Sequence, residues 1–249
     1  MKIVTQNLPK CKDCAVRNAA LFGELETEHL DKARALRSSQ VKYSAGDFLY
    51  HEGEIPDKAF TLYEGWVTLF KNLESGDRQI LRFALPGDLL CYKTGKNRAL
   101  DHSAIAVTDV TLCAFPIEGF TNTIAELPEL SFAISSVTNT VMEQCYSSLT
   151  SIASNPADAK VAYLLLSLYV RECSLNNETE DGIPLPITQE DIGDALGLTA
   201  IHVNRVIQKL RKLGLIKCKN KVLWVGDQEA LAKIARVNLA DVKKLIVAL

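Results

Sequence analysis

The chain has 249 residues, 47% of them hydrophobic, and a formal net charge of −2 at pH 7. This length supports two domains with separate cores. It contains no run of about 18 apolar residues, which argues against a membrane-spanning helix. Its N-terminus lacks a signal-peptide pattern, so we expect a cytoplasmic protein. Seven cysteines at irregular spacing do not resemble a disulfide framework.

Cys11 and Cys14 are the first residues along the chain whose side chains could bind a metal or undergo redox chemistry. Two thiolates at this spacing form half of a zinc or iron–sulfur site, or a redox pair. They are also compatible with two ordinary thiols in an N-terminal arm, because no second CxxC or HxxxH sequence supplies further ligands. A helical pattern follows over residues 21–36.

Between Val41 and Phe115 the pattern changes to short β-rich runs separated by glycines. Gly-Asp pairs recur at 46–47, 76–77 and 87–88. Short strands with regular turns predict an antiparallel barrel or roll. Small barrels often hold a ligand in their mouth, although turn formation alone also explains the glycines. The expected strands span residues 48–51, 59–63, 66–72, 79–85, 102–106 and 111–115.

A stripe of apolar residues predicts one long helix from Leu127 to Ile152, whose length between two domains favours a two-helix dimer seam. Asn155-Pro156 ends this helix. A second apolar helix is expected over Ala157–Glu172, and a polar loop over residues 173–186.

The stretch from Pro186 to Leu215 predicts two short helices joined by a tight turn. Thr188 is expected to cap the first helix, Gly197 to form the turn, and Thr199 to cap the second helix. The inner face of the second helix carries Val203, Ile207 and Leu210. Its outer face carries hydrogen-bonding side chains, cations and one apolar residue, which is typical of a helix that reads a DNA major groove: Ile201, Asn204, Arg205, Gln208 and Lys212.

Positive charge is concentrated around this helix pair. The segment Ala195–Gly226 holds seven Lys or Arg residues and no Asp or Glu. Contacts to phosphates supply much of the affinity for DNA, so this distribution favours a nucleic-acid partner. Residues 215–217 and 221–225 flank 218–220 and predict a basic β-hairpin wing. Residues 227–249 predict a terminal helical segment.

This order of elements resembles the Crp/Fnr family of transcription regulators. The likeness covers Cys11 to about Val225 and is most specific in I-T-Q-E-D-I-G-D-A-L-G-L-T, followed by V-N-R-V-I. It implies an α+β fold with an N-terminal antiparallel β-roll of the cyclic-nucleotide-binding kind, a long dimerisation helix and a C-terminal winged helix-turn-helix. The implied divisions are an arm (1–20), a sensor roll (21–124), a dimerisation helix (125–155), a DNA-binding domain (156–226) and an extension (227–249).

The resemblance also implies a homodimer on a palindromic operator of double-stranded DNA, with RNA polymerase as a candidate partner. Arg205 looks like the family's base-reading arginine, with Asn204 beside it. Ile201 stands where members often carry a glutamate that accepts from cytosine, so we expect an unusual operator. The expected DNA contacts are Thr188, Gln189, Thr199, Ala200, Ile201, His202, Asn204, Arg205, Gln208, Lys209 and Lys219.

The expected effector pocket departs from the cyclic-nucleotide-binding members. Those members carry Gly-Glu, and later Arg-Ser or Arg-Thr, after the Gly-Asp turn. Here Leu89-Leu90-Cys91-Tyr92 follows that turn, and His102 precedes Ser103. Loss of both ion-pairing groups argues against cyclic AMP. The candidate pocket residues are Gly87, Asp88, His102 and Ser103.

The oxygen-sensing branch of the family holds a [4Fe–4S] cluster on three N-terminal cysteines and one in the roll. Cys11 and Cys14 match two of these, and Cys113 matches the distant one, but the remaining position is Ala20. Cys91 or a carboxylate such as Asp13 would have to replace the missing ligand. The alternatives are haem or nitric-oxide sensing, thiol oxidation at Cys11, Cys14 and Cys113, or no ligand.

The sequence therefore predicts a dimeric, sequence-specific DNA-binding transcription regulator that senses an unidentified signal through its roll, with redox and gas signals as candidates. The alternative is an effector-binding roll that signals through protein contacts, which salt would affect less than DNA binding. A cupin-like metalloenzyme has little support, because no catalytic grouping appears and the histidines lack ligand spacing (His29, His51, His102 and His202). Neither the effector, the operator nor the sign of regulation follows from the sequence.

Overall fold

The protein is described here from a computed structural model. The structure describes residues 2–4, 14, 16–17, 20, 23, 36–92, 98–176 and 181–247. The chain divides into two compact units, with the division between Thr138 and Asn139. Each unit has its own core, as the length of the chain predicts.

The first unit is a two-sheet β-roll in which every strand pair is antiparallel. The five-stranded sheet has the order β1 (Lys2–Val4), β2 (Ser39–Tyr43), β9 (Val110–Pro116), β4 (Lys58–Glu64), β7 (Leu89–Leu90). The four-stranded sheet has the order β3 (Phe48–Tyr50), β8 (Ser103–Ala106), β5 (Val67–Asn72), β6 (Arg78–Ala84). The predicted roll is confirmed, and β1, β2 and β7 are strands that the sequence pattern did not identify.

Strand β9 is buried on both faces. Leu112 and Ala114 belong to the core cluster inside the roll, whereas Cys113 and Phe115 belong to a second cluster with Leu130. Burial on both faces explains why this strand reads as a continuous apolar run rather than an alternating one. It also places the Cys113 thiol outside the core of the roll.

The repeated Gly-Asp pairs are turns closed by the aspartate. Gly46 and Gly87 have φ values of 88° and 99°, which favour glycine. Asp47 Oδ2 accepts a hydrogen bond from the Ser44 amide at 3.1 Å, and Asp88 Oδ2 accepts one from the Leu85 amide at 2.8 Å. The repeat therefore has a structural cause that is independent of any ligand.

Two helices follow the roll, α1 (Ile117–Glu126) and α2 (Pro128–Ser154). The predicted long helix is confirmed as α2, whereas α1 was not predicted, because Gly119 and two threonines lower its helix propensity. Ala133 and Ile134 of α2 pack in the cluster that contains Cys113. Within the described residues, no helix is both long and apolar enough to cross a membrane.

The second unit is built around α3 (Ala157–Asn176). The remaining helices pack against it: α4 (Gln189–Leu196), α5 (Ala200–Lys212), α6 (Gln228–Ala235) and α7 (Leu239–Val247). The loop was predicted to begin at residue 173, which is wrong, because α3 continues to Asn176. The terminal segment is two helices rather than one, since Arg236 takes a left-handed φ of 59° after α6.

The wing is a small antiparallel sheet in which β12 (Val222–Val225) lies between β10 (Ile183–Pro184) and β11 (Ile216–Lys219). Asn220 and Lys221 form the hairpin turn with φ values of 52° and 58°, as a type I′ turn requires. The predicted hairpin is confirmed, but its predicted turn at 218–220 is wrong. Cys218 lies within β11 and pairs with Leu223.

Candidate nucleic-acid interface and sensor sites

Both caps of the helix pair form as predicted. Thr188 Oγ1 accepts a hydrogen bond from the Asp191 amide at 3.0 Å, and Asp191 Oδ2 accepts one from the Thr188 amide at 2.8 Å. This reciprocal capping box fixes the start of α4. Thr199 Oγ1 accepts from the His202 amide at 3.2 Å and so begins α5.

The turn between α4 and α5 depends on two glycines. Gly197 takes the predicted left-handed conformation, with φ 64° and ψ 42°. Gly193, which the sequence pattern did not single out, lies where a Cβ would stand 2.4 Å from the Leu198 carbonyl oxygen. Any side chain at Gly193 would force the two helices apart, so this position fixes their close approach.

Helix α5 has the predicted two faces. Val203, Ile207 and Leu210 are buried, together with Val206. Ile201 is 68% exposed on the outer face of the helix. The other exposed residues of α5 that were predicted to contact DNA are polar or charged: His202, Arg205, Gln208 and Lys209. Ala200, at the start of α5, is half-buried.

Asn204 and Arg205 differ in how they are held. Asn204 Nδ2 donates to Gln189 Oε1 at 2.9 Å, so the two helices are joined by side chains at the predicted reading surface. Arg205 is exposed and makes no hydrogen bond or ion pair within the described part of the chain. Its guanidinium donors are therefore available to a partner.

The lysines of the wing differ in whether their side chains have a partner within the wing. Lys217 Nζ lies 5.0 Å from the centroid of the Trp224 ring, a cation–π contact that holds this side chain on the wing. Lys219 and Lys221 are exposed beside the hairpin turn and make no ion pair with any described residue. Lys219, which was predicted to contact DNA, therefore carries a positive charge that no described acidic residue neutralises.

A surface groove of about 310 Å³ runs along α5 beside the start of α3, and Ile201, His202 and Arg205 line it. Asp158, in the first turn of α3, lies across the groove and forms an ion pair with Lys209. The sequence pattern did not identify Asp158, because it lies far from the basic segment along the chain. Asp158 is the acidic residue among those that line the groove, which also include Arg205 and Lys209.

The four predicted effector-pocket residues belong to two different sheets. Gly87 and Asp88 precede β7 of the five-stranded sheet, whereas His102 and Ser103 lie at the start of β8 in the four-stranded sheet. Ser103 Oγ accepts from the Glu52 amide at 2.9 Å. The His102 ring lies 2.9 Å from the Tyr50 hydroxyl and 2.7 Å from an Asp101 oxygen, measured from Nε2 and Nδ1 respectively.

Arg82 is a further residue of this region that the sequence reading missed. It pairs with Leu69 across β5 and β6, so its side chain shares the inward face with Leu69. Its Nη2 lies 3.4 Å from Asp88 Oδ2, and both side chains are largely buried. The bulge between Leu69 and Phe70 interrupts the alternation of inward and outward side chains. The sequence pattern therefore did not show that Arg82 lies on the inward face.

Cys14 and Cys113 line one small cavity of about 40 Å³. Arg37 Nη1 and Gln40 Nε2 point at the Cys113 sulfur from 3.9 Å and 3.6 Å. Ala20 lines the same cavity, at the position where the resemblance expects a further cysteine. Cys11 lies outside the described residues, as does Asp13.

Comparison with known proteins finds a matching domain family for each half of the chain. A profile for the cyclic nucleotide-binding domain matches residues 40–126, and one for the Crp-like helix-turn-helix domain matches residues 159–234. The nitrogen fixation regulation protein FixK of Bradyrhizobium diazoefficiens is 35% identical over 208 residues, which cover 83% of this chain and 85% of FixK.

The chain belongs to the Crp/Fnr family of transcription regulators. The transcriptional activatory protein AadR of Rhodopseudomonas palustris is 32% identical over 203 residues, covering 82% of this chain and 83% of AadR. The structure of FixK2 from Bradyrhizobium japonicum has the same fold, with a TM-score of 0.72 at 22% identity over 78% of this chain and 96% of FixK2. The predicted family and fold are confirmed, and the protein is a DNA-binding transcription regulator.

The described residues supply two of the cysteines that the resemblance assigns to a [4Fe–4S] cluster, Cys14 and Cys113, whereas Cys11 lies outside them. Such a cluster needs four protein ligands, and the cavity offers two thiols and the methyl group of Ala20. No group of three or more His, Cys, Asp or Glu residues in the described ranges is arranged to hold a metal. Cys91 does not line this cavity but packs in the core of the roll, where burial raises the pKa of its thiol to about 12.

Proposed function

We propose that this Crp/Fnr regulator acts as a homodimer that presents two α5 helices to a palindromic DNA operator. The outer face of α5 supports this proposal, because Arg205 is exposed and free of internal partners while Asn204 is held by Gln189. A free guanidinium can donate two hydrogen bonds to one guanine in the major groove. A contact with RNA polymerase is a prediction that rests on the family resemblance alone.

Apolar exposure on α2 supports the dimer. Tyr146 and Leu149 are 60% and 63% exposed, and Met142 is also exposed. The three residues recur at i, i+4 and i+7, so they form one stripe on the second half of the helix. Thr140 and Ser151 lie on a different face of α2 and are buried. An apolar stripe opposite a polar buried face is typical of a helix that pairs with a second copy.

The exposed Ile201 supports an operator with an apolar contact at one position. An isoleucine at the first turn of α5 can contact the methyl group of thymine, but it cannot accept a hydrogen bond from cytosine. Two further predicted contacts, Gln189 and Lys219 at the wing turn, would hold the protein on the phosphate backbone.

Thiol oxidation is the signal that the described residues support best. Cys113 receives two hydrogen-bond donors, one of them the Arg37 guanidinium, and Cys14 lines the same cavity. A peroxide would oxidise Cys113 to a sulfenic acid with release of water, and the Cys14 thiol would then displace a second water to form a disulfide. The side-chain bonds of Asp88, His102 and Ser103 do not by themselves identify an effector.

Substitution of Arg205 by alanine should abolish most sequence-specific binding. Duplexes selected from a random pool by the wild-type protein would be titrated by fluorescence anisotropy at fixed salt. We expect the Arg205→Ala variant to bind at least about 30-fold more weakly, because the dimer loses two bidentate base contacts, each of about 1–3 kcal/mol. Lys233→Ala removes one exposed positive charge from α6 and serves as the control. Equal losses in both variants would mean that charge, rather than base reading, sets the effect.

An aspartate at Leu149 should dissociate the dimer without unfolding the subunit. The charge would lie in the apolar stripe of α2, where pairing would desolvate it. Sedimentation velocity should show a monomer for Leu149→Asp and a dimer for the wild type. The control Glu143→Gln changes an exposed residue of the same helix outside the stripe. A Leu149→Asp variant that sediments as the wild type does would contradict the α2 seam.

Mild oxidation should modify Cys14 and Cys113 together. Protein would be exposed to hydrogen peroxide at pH 7.5, alkylated after unfolding, and analysed by mass spectrometry. We expect Cys14 and Cys113 to lose alkylation in parallel, and Cys91 to keep it, because its raised pKa leaves the thiol protonated at this pH. In the Cys14→Ser variant, Cys113 should accumulate as a sulfenic acid that dimedone traps. Unchanged alkylation of Cys113 in the wild type would remove the thiol proposal.

A further inference from the structure

Lys209, on the exposed face of α5, forms an ion pair with a carboxylate in the first turn of α3. The Lys209 ammonium contacts Asp158 Oδ2, with the two side chains 60% and 35% exposed. Lys209 lies one helical turn beyond Arg205, and both residues line the groove beside α3. The carboxylate therefore occupies a place beside Lys209 that a DNA phosphate would also seek.

We propose that Asp158 is an internal competitor of the DNA backbone for Lys209, and that it lowers the sequence-independent part of the affinity. The proposal rests on the proposed DNA-binding role of α5. A carboxylate and a phosphate are both anions that are attracted to the ammonium group, so the charge of Asp158 reduces the attraction of Lys209 to a phosphate. While Lys209 is bound to Asp158, the surface presents one fewer free cation to DNA.

The exposure of the pair makes the competition reversible. Exposed ion pairs are weak and are screened by salt, so duplex DNA can displace Asp158. Because phosphate contacts carry no base information, competition at Lys209 weakens binding to all sequences alike. The competitor thus reduces retention on random DNA while base reading by Arg205 is unaffected.

A purely structural role for Asp158 is the rival explanation. Asp158 lies in the first turn of α3, where a negative charge interacts favourably with the helix dipole. In that case an asparagine would destabilise the domain, and any change in DNA binding would not depend on Lys209. The two explanations therefore differ in the background of a Lys209 substitution.

The experiment is a double-mutant cycle with Asp158→Asn, Lys209→Gln and the double variant. Affinity would be measured by anisotropy on a wild-type-selected duplex and on a scrambled duplex, over a series of potassium chloride concentrations. Asp241→Asn is the matched control, because it removes one carboxylate from an exposed ion pair with Lys244 on α7. Urea unfolding of each variant reports stability.

We expect Asp158→Asn to bind both duplexes about 2- to 30-fold more tightly, which is the combined strength of the two exposed ion pairs of a dimer. The slope of log affinity against log salt should become steeper by up to about 0.9 for each subunit, the value for a Lys209 that Asp158 keeps from phosphate throughout. Neither change should appear in the Lys209→Gln background or in Asp241→Asn.

Three results would overturn the proposal: unchanged or weaker binding by Asp158→Asn, a gain that persists without Lys209, or a gain confined to the selected duplex. A wild-type protein that selects no duplex would instead overturn the proposed operator binding, on which the inference rests.

Discussion

The close approach of α4 to α5 is the constraint on which the DNA-binding half of the molecule depends. At Gly193 the backbone of one helix meets the Leu198 carbonyl so closely that a Cβ would stand 2.4 Å from the oxygen. Gly197 then reverses the chain, and Thr199 starts α5 at once. Burial of Val203 and Leu210 fixes the rotation of α5 and leaves Ile201 and Arg205 facing outward.

Features set by neighbouring residues were predictable from the sequence, whereas features set by distant partners were not. The caps at Thr188 and Thr199 follow local rules, and so do the left-handed Gly197 and the apolar face of α5. Strand β10 exists only through its pairing with β12, and the wing turn depends on a register that sequence alone leaves open. Asp158 and Arg82 act through contacts with residues far along the chain, which periodicity cannot reveal.

In the β-roll, internal bonds already occupy several of the side chains that were predicted to line an effector pocket. The Asp88 carboxylate closes a turn and pairs with Arg82, while the Ser103 hydroxyl accepts a backbone amide. These groups already have structural roles within the roll. Cys113 differs, since its sulfur faces a cavity outside the core of the roll and receives donors from Arg37 and Gln40. The proposed thiol chemistry therefore rests on Cys113 and its two neighbours.

Methylation interference on the selected duplex tests the central claim most directly, namely that the outer face of α5 reads the major groove. Dimethyl sulfate modifies guanine N7 in the major groove and adenine N3 in the minor groove, so one experiment distinguishes the two. The account predicts interference at guanine N7 in two symmetric half-sites centred about one helical turn apart. Interference confined to adenine N3, or absent at every guanine, would contradict it.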